Sequence, residues 1–246
     1  MITSQEKERY RRQIAIEGFG EDGQAKLSRA RVLVAGAGGL GCAVCTYLAA
    51  AGVGALRVVD RGEVELSNLN RQVLYGTADI GRAKAPALRA RLRDVNPGVR
   101  YETLHAAISA ESVSGIVSGM DLVVDALDNL PTRYVLNKAC IEWNLPLVHG
   151  AVDGFQGQAL TVVPGRGPCL MCLFGGSEHA GLIPVLGTAP GIVGCIQATE
   201  VIKIFTGLGT PLVGRLLLID GLEMRIAEVE VARNPGCPHC GSAALQ

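Results

Sequence analysis

Two kinds of apolar stretch alternate along the first 150 residues of the chain. Short runs rich in Val, Ile and Leu predict strands, and longer Ala/Leu-rich runs with helical spacing predict helices. The predicted strands are 31–35, 55–60, 99–105, 121–125 and 146–150, and the predicted helices are 39–51, 82–95, 110–118 and 132–144. Because strand and helix alternate, the pattern predicts a doubly wound, mostly parallel α/β sheet.

The remainder of the chain has a different pattern. Charged segments with helical spacing at 5–17 and 21–29 predict an N-terminal helical arm. After residue 150, the strand-like runs QALTVVP, GRLLLID and MRIAEVEV, with a helix near 192–206, predict antiparallel strands that extend the sheet. The predicted organisation is a single domain over 1–246, with the arm at 1–30 and two halves at 31–150 and 151–246.

Composition excludes several classes of protein. The 246 residues are 48% hydrophobic, and the 23 Lys and Arg balance the 23 Asp and Glu, so no basic excess exists to neutralise a nucleic-acid backbone. The charged N-terminus MITSQEKERYRRQ lacks the apolar core of a secretory signal, and later apolar runs are too short to span a bilayer. We expect a cytoplasmic protein that binds neither nucleic acid nor membrane.

A glycine-rich turn follows the first predicted strand. In VLVAGAGGLG, Gly36, Gly38 and Gly41 have the G-x-G-x-x-G spacing of a Rossmann-like loop, in which the backbone approaches a phosphate at a helix N-terminus. Asp60 ends the second strand 19 residues beyond Gly41, where a carboxylate can accept a hydrogen bond from a ribose hydroxyl. These features alone favour NAD, and a nicotinamide oxidoreductase is one hypothesis.

The polar segment after Asp60 changes the expected ligand. It contains Asn68, Arg71 and Gln72, and Lys84 begins the next helix. Ordinary surface cations are one interpretation of Arg71 and Lys84. However, a dinucleotide pyrophosphate is satisfied largely by the glycine loop, so added cations favour a triphosphate and therefore ATP.

A carboxylate and an amide follow the fourth predicted strand. Asp128 and Asn129 lie just beyond DLVVDAL, at the strand edge where α/β sheets bind ligands. Beside a triphosphate, Asp128 would hold Mg²⁺, which binds one or two carboxylates together with phosphate oxygens and water. A helix N-cap is the alternative role for Asp128.

Seven motifs together resemble one known family. They are RYRRQI (9–14), GAGGLG (36–41), D-x5-LSNLNRQ (60–72), GRAKA (81–85), DALDN (125–129), CLMC (169–172) and NPGCPHCG (234–241). In this order they resemble the MoeB/ThiF/HesA family, the bacterial relatives of ubiquitin-activating enzymes. The resemblance implies ATP-dependent adenylylation of the C-terminal glycine of a small ubiquitin-fold sulfur carrier that ends in Gly-Gly, with release of pyrophosphate.

The resemblance also implies roles for individual residues. Asn68, Arg71 and Lys84 would hold the phosphates, and Asp128 would bind Mg²⁺ and support the transition state. Arg12 would reach the nucleotide of the neighbouring subunit in a homodimer. The implied nucleotide-binding set is Gly36, Gly38, Gly39, Gly41, Asp60, Ser67, Asn68, Asn70, Arg71, Gln72, Lys84, Asp128 and Asn129. A non-catalytic partner subunit would be expected to lack one of the four catalytic candidates, and all four are present.

Two cysteine pairs predict a metal site. Cys169 and Cys172, and Cys237 and Cys240, have the spacing of thiolate knuckles. Spacing alone leaves open a shared Zn²⁺ site and two separate redox pairs, and the resemblance favours a structural zinc.

A further cysteine found in some members of the family is absent from the loop LFGGSEHAGLIPVLGTAP (173–190). Its absence favours direct release of the acyl-adenylate to an external sulfur donor. Cys195 is the nearest substitute, and core packing is its alternative role. Adenylylation of a peptide tail instead of a carrier protein also stays open.

Overall fold

A single eight-stranded sheet forms the centre of the computed structural model, which describes residues 2–176 and 183–241. The strand order is β3-β2-β1-β4-β5-β6-β7-β8. The strands are β1 (Arg31–Ala35), β2 (Ala55–Val59), β3 (Arg100–Leu104), β4 (Leu122–Asp125), β5 (Leu147–Asp153), β6 (Gln156–Val162), β7 (Arg215–Asp220) and β8 (Arg225–Glu230). Strands β1 to β5 pair in parallel and β5 to β8 pair antiparallel, which confirms the predicted mixed sheet.

Helices cover both faces of the sheet. They are α1 (Ser4–Arg9), α2 (Arg11–Ile14), α3 (Gly20–Leu27), α4 (Gly39–Ala51), α5 (Lys84–Val95), α6 (Val113–Val117), α7 (Leu130–Glu142), α8 (Leu170–Phe174) and α9 (Thr188–Thr206). Residues of α4, α5 and α9 pack in one apolar cluster, and residues of α6, α7 and α8 pack in another. Alternate residues of β1 enter opposite clusters, as expected for a strand covered on both faces.

The N-terminal arm is less continuous than its helical spacing predicts. The segment predicted as one helix over 5–17 divides at Tyr10 and ends at Ile14. The Tyr10 side chain is buried against Gly52, and its hydroxyl accepts a hydrogen bond from Asn96 Nδ2 at 2.8 Å. This tertiary contact fixes the turn between α1 and α2.

Other elements of the structure also differ from the sequence-based expectation. The polar segment between β2 and α5 contains two short 3-10 helices, Leu66–Asn68 and Thr77–Asp79. Helix α8 was not predicted, and α9 begins at Thr188 instead of near 192. Pro190 lies in the first turn of α9, where a missing backbone N–H costs no intrahelical bond.

Within the part of the chain that the structure describes, no helix combines the length and the apolar content needed to cross a membrane.

Candidate functional site

The glycine loop joins β1 to α4 at the carboxyl edge of the parallel strands. Gly36 has φ +104°, and a Cβ atom there would lie 2.4 Å from the carbonyl oxygen of Ala126. A Cβ on Gly41 would lie 2.0 Å from the carbonyl oxygen of Gly36. Both positions therefore require glycine, one for backbone conformation and one for the tightness of the turn. The turn presents the N-terminus of α4 and its free backbone amides to a ligand.

Asp60 is held against this loop. Its Oδ2 accepts a hydrogen bond from Ala37 N at 2.7 Å, and its Oδ1 accepts one from Gly62 N at 2.6 Å. A Cβ on Gly62 would lie 3.1 Å from Asp60 Oδ1 and 3.6 Å from Lys84 Nζ. Asp60 and Lys84 therefore flank the same glycine, beside the glycine loop.

The SNLNRQ segment packs on the other side of the loop. A Cβ on Gly38 would lie 3.8 Å from Gln72 Nε2, and one on Gly39 would lie 3.5 Å from Arg71 Cγ. Gln72 is buried, and its Oε1 has no hydrogen-bond partner among the residues described. The guanidinium of Arg71 donates to Ser67 O at 3.0 Å and to Asn70 Oδ1 at 3.1 Å. The structure thus brings one cation and one unsatisfied buried amide oxygen to the glycine loop.

Asn68 differs from its neighbours because it faces inward. Its side chain is 6% exposed, and its Oδ1 accepts a hydrogen bond from Glu65 N at 3.2 Å. In this conformation the Asn68 amide stabilises the 3-10 helix Leu66–Asn68, which contains Ser67 and directly precedes Asn70 and Arg71.

Asp128 is exposed between β4 and α7. The N-cap of α7 is Asn129, whose Oδ1 accepts from Thr132 N at 3.0 Å and whose Nδ2 donates to Asp128 Oδ1 at 3.2 Å. The capping role considered for Asp128 is therefore filled by Asn129. The Asp128 carboxylate retains free acceptor positions for a cation.

A buried polar cluster lies at the carboxyl end of β4, just before this turn. The sequence analysis did not identify it. Asp125 and His149 have no exposed side-chain surface, and the Arg133 side chain is 6% exposed. His149 Nδ1 lies 2.7 Å from Asp125 Oδ2, and Arg133 Nε lies 3.7 Å from the same oxygen. Gln197 donates to the backbone carbonyl of Asp125 at 2.8 Å. The carboxyl end of β4 thus contains a buried ion pair together with an imidazole.

Burial and the neighbouring charges set the protonation of this cluster. Burial raises the pKa of Asp125, but the Arg133 charge and the hydrogen bonds from His149 and Leu127 N outweigh it and lower the pKa below its ordinary value. Burial lowers the pKa of His149 below its ordinary value, although the hydrogen bond to Asp125 opposes this. Asp125 is therefore ionised and His149 is neutral, with Nδ1–H donating to Asp125.

The four predicted metal-ligand cysteines converge. The sulfur atoms of Cys169, Cys172, Cys237 and Cys240 all lie within 4.8 Å of one another. Two of these separations, Cys169 to Cys237 and Cys172 to Cys240, are 3.7 and 3.5 Å. Zn–S bonds of about 2.3 Å in a tetrahedron place sulfurs about 3.8 Å apart, so the arrangement fits a Zn²⁺ ion. The two pairs form one cluster that could hold a metal, which does not support separate redox pairs.

Asn137 on α7 connects the two knuckles. Its Oδ1 accepts from Leu170 N at 3.0 Å, and its Nδ2 lies 2.8 Å from His239 Nδ1. These contacts join the loops of both cysteine pairs to the helix that begins beside Asp128.

The other cysteines have different surroundings. Cys42 and Cys45 are buried in α4, and burial raises the pKa of Cys42 to about 12. Both therefore pack in the core as neutral thiols. Cys195 is half-buried in α9. Residues 177–182 of the loop that lacks the further cysteine lie outside the described residues.

Arg12 lies outside this constellation. It is exposed on α2, and within residues 2–176 and 183–241 it has no hydrogen bond or ion pair.

Comparisons with known proteins identify relatives of this chain. The model of the ThiF family matches residues 10–239. The SAMP-activating enzyme E1 of Haloferax volcanii is 46% identical over 99% of this chain and 92% of its own length. The sulfur carrier protein adenylyltransferase of Thermus thermophilus is 44% identical over 99% and 94%. A crystal structure of E. coli MccB with MccA-N7isoASN superimposes with a TM-score of 0.83 at 24% identity, covering 90% of this chain and 70% of that one, which supports the fold alone.

Proposed function

The chain belongs to the ThiF family, and from that premise we propose that it adenylylates the C-terminal glycine of a ubiquitin-like sulfur carrier protein. Two relatives that match nearly the whole chain are named for the activation of SAMP and for adenylyl transfer to a sulfur carrier protein. The observation that carries the proposal is the placement of Arg71 and Lys84 beside the glycine loop, with Asp60 between the loop and Lys84. A dinucleotide pyrophosphate would not need this added positive charge.

The proposed reaction is one in-line displacement. A carboxylate oxygen of the carrier forms a bond to the α-phosphorus of ATP, and the bond from that phosphorus to the bridging oxygen of pyrophosphate breaks. Both reactants are anionic, so catalysis consists mainly of charge neutralisation and alignment. No protein nucleophile or general base is required, because the attacking carboxylate is already ionised.

Each part of the site has one task in this proposal. The amides of the glycine loop hold the phosphate chain, Asp60 accepts from the ribose, and Arg71 and Lys84 neutralise the β- and γ-phosphates. Asp128 would bind Mg²⁺, and the ion, when bound, would reduce the negative charge of the phosphates. The remaining contacts of the proposed nucleotide site come from Ser67, Asn70, Gln72 and Asn129.

Three further features belong to the proposal. The four cysteines hold a structural Zn²⁺ that joins residues 237–240 to the body of the protein. Arg12 completes the site of the neighbouring subunit in a cytoplasmic homodimer. Sulfur comes from an external donor, because residues 173–190 contain no cysteine to form a covalent intermediate.

ATP–pyrophosphate exchange tests the proposal. Exchange is expected when the chain, Mg²⁺, ATP and a carrier ending in Gly-Gly are combined, and not when the last glycine of the carrier is removed. Exchange with a free Gly-Gly peptide as efficient as with the folded carrier would support the peptide alternative. Saturable NADH binding without ATP binding would overturn the proposal.

A further inference from the structure

We propose that the buried pair of Asp125 and Arg133, together with His149, positions the Asp128 carboxylate for the reaction. These three side chains are positioning residues, since they act through the Leu127 peptide and not on the substrate. The inference rests on the proposed function only in that Asp128 is taken to bind the metal of the metal–nucleotide complex.

The cluster holds both polar groups of the residue before Asp128. Leu127 N donates to Asp125 Oδ1 at 3.1 Å, and Leu127 O accepts from Arg133 Nη2. Asp125 therefore fixes the N–H of the 126–127 peptide, and Arg133 fixes the carbonyl of the 127–128 peptide. Hydrogen bonds to charged groups are stronger than neutral ones, and the Asp125 side chain is fully buried. The buried ion pair therefore fixes the orientation of the backbone that leads into Asp128.

The same turn contacts the glycine loop from the opposite side. The Cβ position of Gly36 is 2.4 Å from Ala126 O and 3.4 Å from Leu127 N. The backbone of 126–127 therefore lies between the phosphate-binding turn and the buried ion pair. A shift of this peptide would move Asp128 relative to the bound nucleotide, while the ribose contact at Asp60 would remain.

His149 extends the cluster into the second half of the chain. It lies on β5, with its Nε2 3.3 Å from Gln158 Nε2 on β6 and its ring edge-to-face with Phe174 at 5.5 Å. Arg133 also donates to Gly150 O at 3.0 Å. The position of Asp128 is therefore tied to the β5–β6 hairpin, whose second strand lies in the 151–246 half of the chain.

Arginine is required at position 133 because its guanidinium makes several contacts with fixed directions, one of them to the His149 ring. It pairs with Asp125 and donates to two backbone carbonyls, those of Leu127 and Gly150. A lysine would keep the charge, but its compact ammonium cannot reproduce the planar fork. Arg133→Lys therefore tests whether the planar geometry of the guanidinium is needed in addition to its positive charge.

The test measures Mn²⁺ binding to the chain saturated with a non-hydrolysable ATP analogue, by electron paramagnetic resonance, so no turnover is needed. Arg133→Lys is expected to weaken Mn²⁺ binding about tenfold, with analogue affinity within about twofold of the unaltered chain. The matched control is Arg57→Lys, because Arg57 also donates to two backbone carbonyls, of Ile116 and Ser118. The control should leave Mn²⁺ affinity unchanged.

A second pair of variants tests the same inference at His149. His149→Leu removes the donor to Asp125 Oδ2 and should weaken Mn²⁺ binding, whereas His149→Asn retains an N–H near the Nδ1 position and should restore it. Equal Mn²⁺ affinities in Arg133→Lys, both His149 variants and the unaltered chain would overturn the inference. Failure of the unaltered chain to catalyse exchange would overturn the proposed function and not this result.

Discussion

Asp60 Oδ2 accepts a hydrogen bond from the backbone N–H of Ala37 at 2.7 Å. The acid at the end of β2 is therefore part of the glycine loop as well as a candidate ribose ligand. Its other oxygen accepts from Gly62 N at 2.6 Å, which places the carboxylate between the loop and the segment leading to Lys84.

Asp60→Ala is expected to weaken ATP binding at least about tenfold. The substitution removes two charge-assisted hydrogen bonds to the backbone together with the proposed ribose contact. Calorimetric titration with ATP measures the affinity. The matched control is Asp220→Ala, since Asp220 Oδ1 also accepts from two backbone amides, in the turn between β7 and β8. Equal ATP affinity in the two variants would argue against an Asp60 role in binding.

Zinc is expected at about one ion per chain, and Cys237→Ser should abolish its retention. Loss of the ion should lower the melting temperature by about 10 °C, because structural zinc contributes folding free energy. Metal analysis and thermal unfolding measure the two effects. Cys195→Ser serves as the control, since Cys195 lies on α9 and is not one of the four clustered cysteines. Retention of zinc by Cys237→Ser would show that the predicted ligand set is wrong.

Sequence pattern predicted the part of the site that is built at strand ends. Because parallel strands end at a common edge, the glycine loop, Asp60 and Asp128 could be assigned to one region from their positions after three strands. Arg71 and Gln72 contact the loop from a segment that has no hydrophobic periodicity. The conformation of this segment therefore could not be predicted from hydrophobic spacing.

The buried cluster could not be predicted in the same way. Arg133 on a helix and His149 in a strand are each compatible with ordinary structural positions, and the charge of Arg133 suggests an exposed side chain. Their meeting at Asp125 depends on the pairing of β4 with β5 and on the direction of α7. The one available signal was the first acid of DALDN, which lies inside a strand where a charge needs a partner.

Arg12 and Asp128 should complement each other across a dimer. Arg12→Ala and Asp128→Ala are each expected to reduce exchange at least about 100-fold, since each removes a charge that stabilises the transition state. Co-expression with two different tags isolates the mixed dimer. If Arg12 acts at the neighbouring site, one of the two sites in the mixed dimer has both Arg12 and Asp128. The mixed dimer should then have about half the normal activity. A mixed dimer as inactive as either variant would place Arg12 in its own chain's site.

The pH dependence of stability should report the buried His149. Its pKa in the folded chain lies below the ordinary value of 6.5, so the unfolded chain binds a proton more readily. The stability associated with neutral His149 is therefore present above pH 6.5 and is lost as the pH falls below it. At pH 5.5 this loss reaches about 1.4 kcal/mol when the folded imidazole stays neutral.

His149→Asn removes this titration while keeping a donor to Asp125. Between pH 7.5 and 5.5, the free energy of unfolding in urea should therefore decrease less for His149→Asn than for the unaltered chain, by about 1 kcal/mol. His105→Asn is the control for replacing a histidine with asparagine, because His105 is exposed on the loop after β3, outside the buried cluster. Parallel pH profiles for His149→Asn and the unaltered chain would mean that His149 takes up a proton equally well in the folded and unfolded states. That result would contradict a neutral imidazole in the Asp125 cluster.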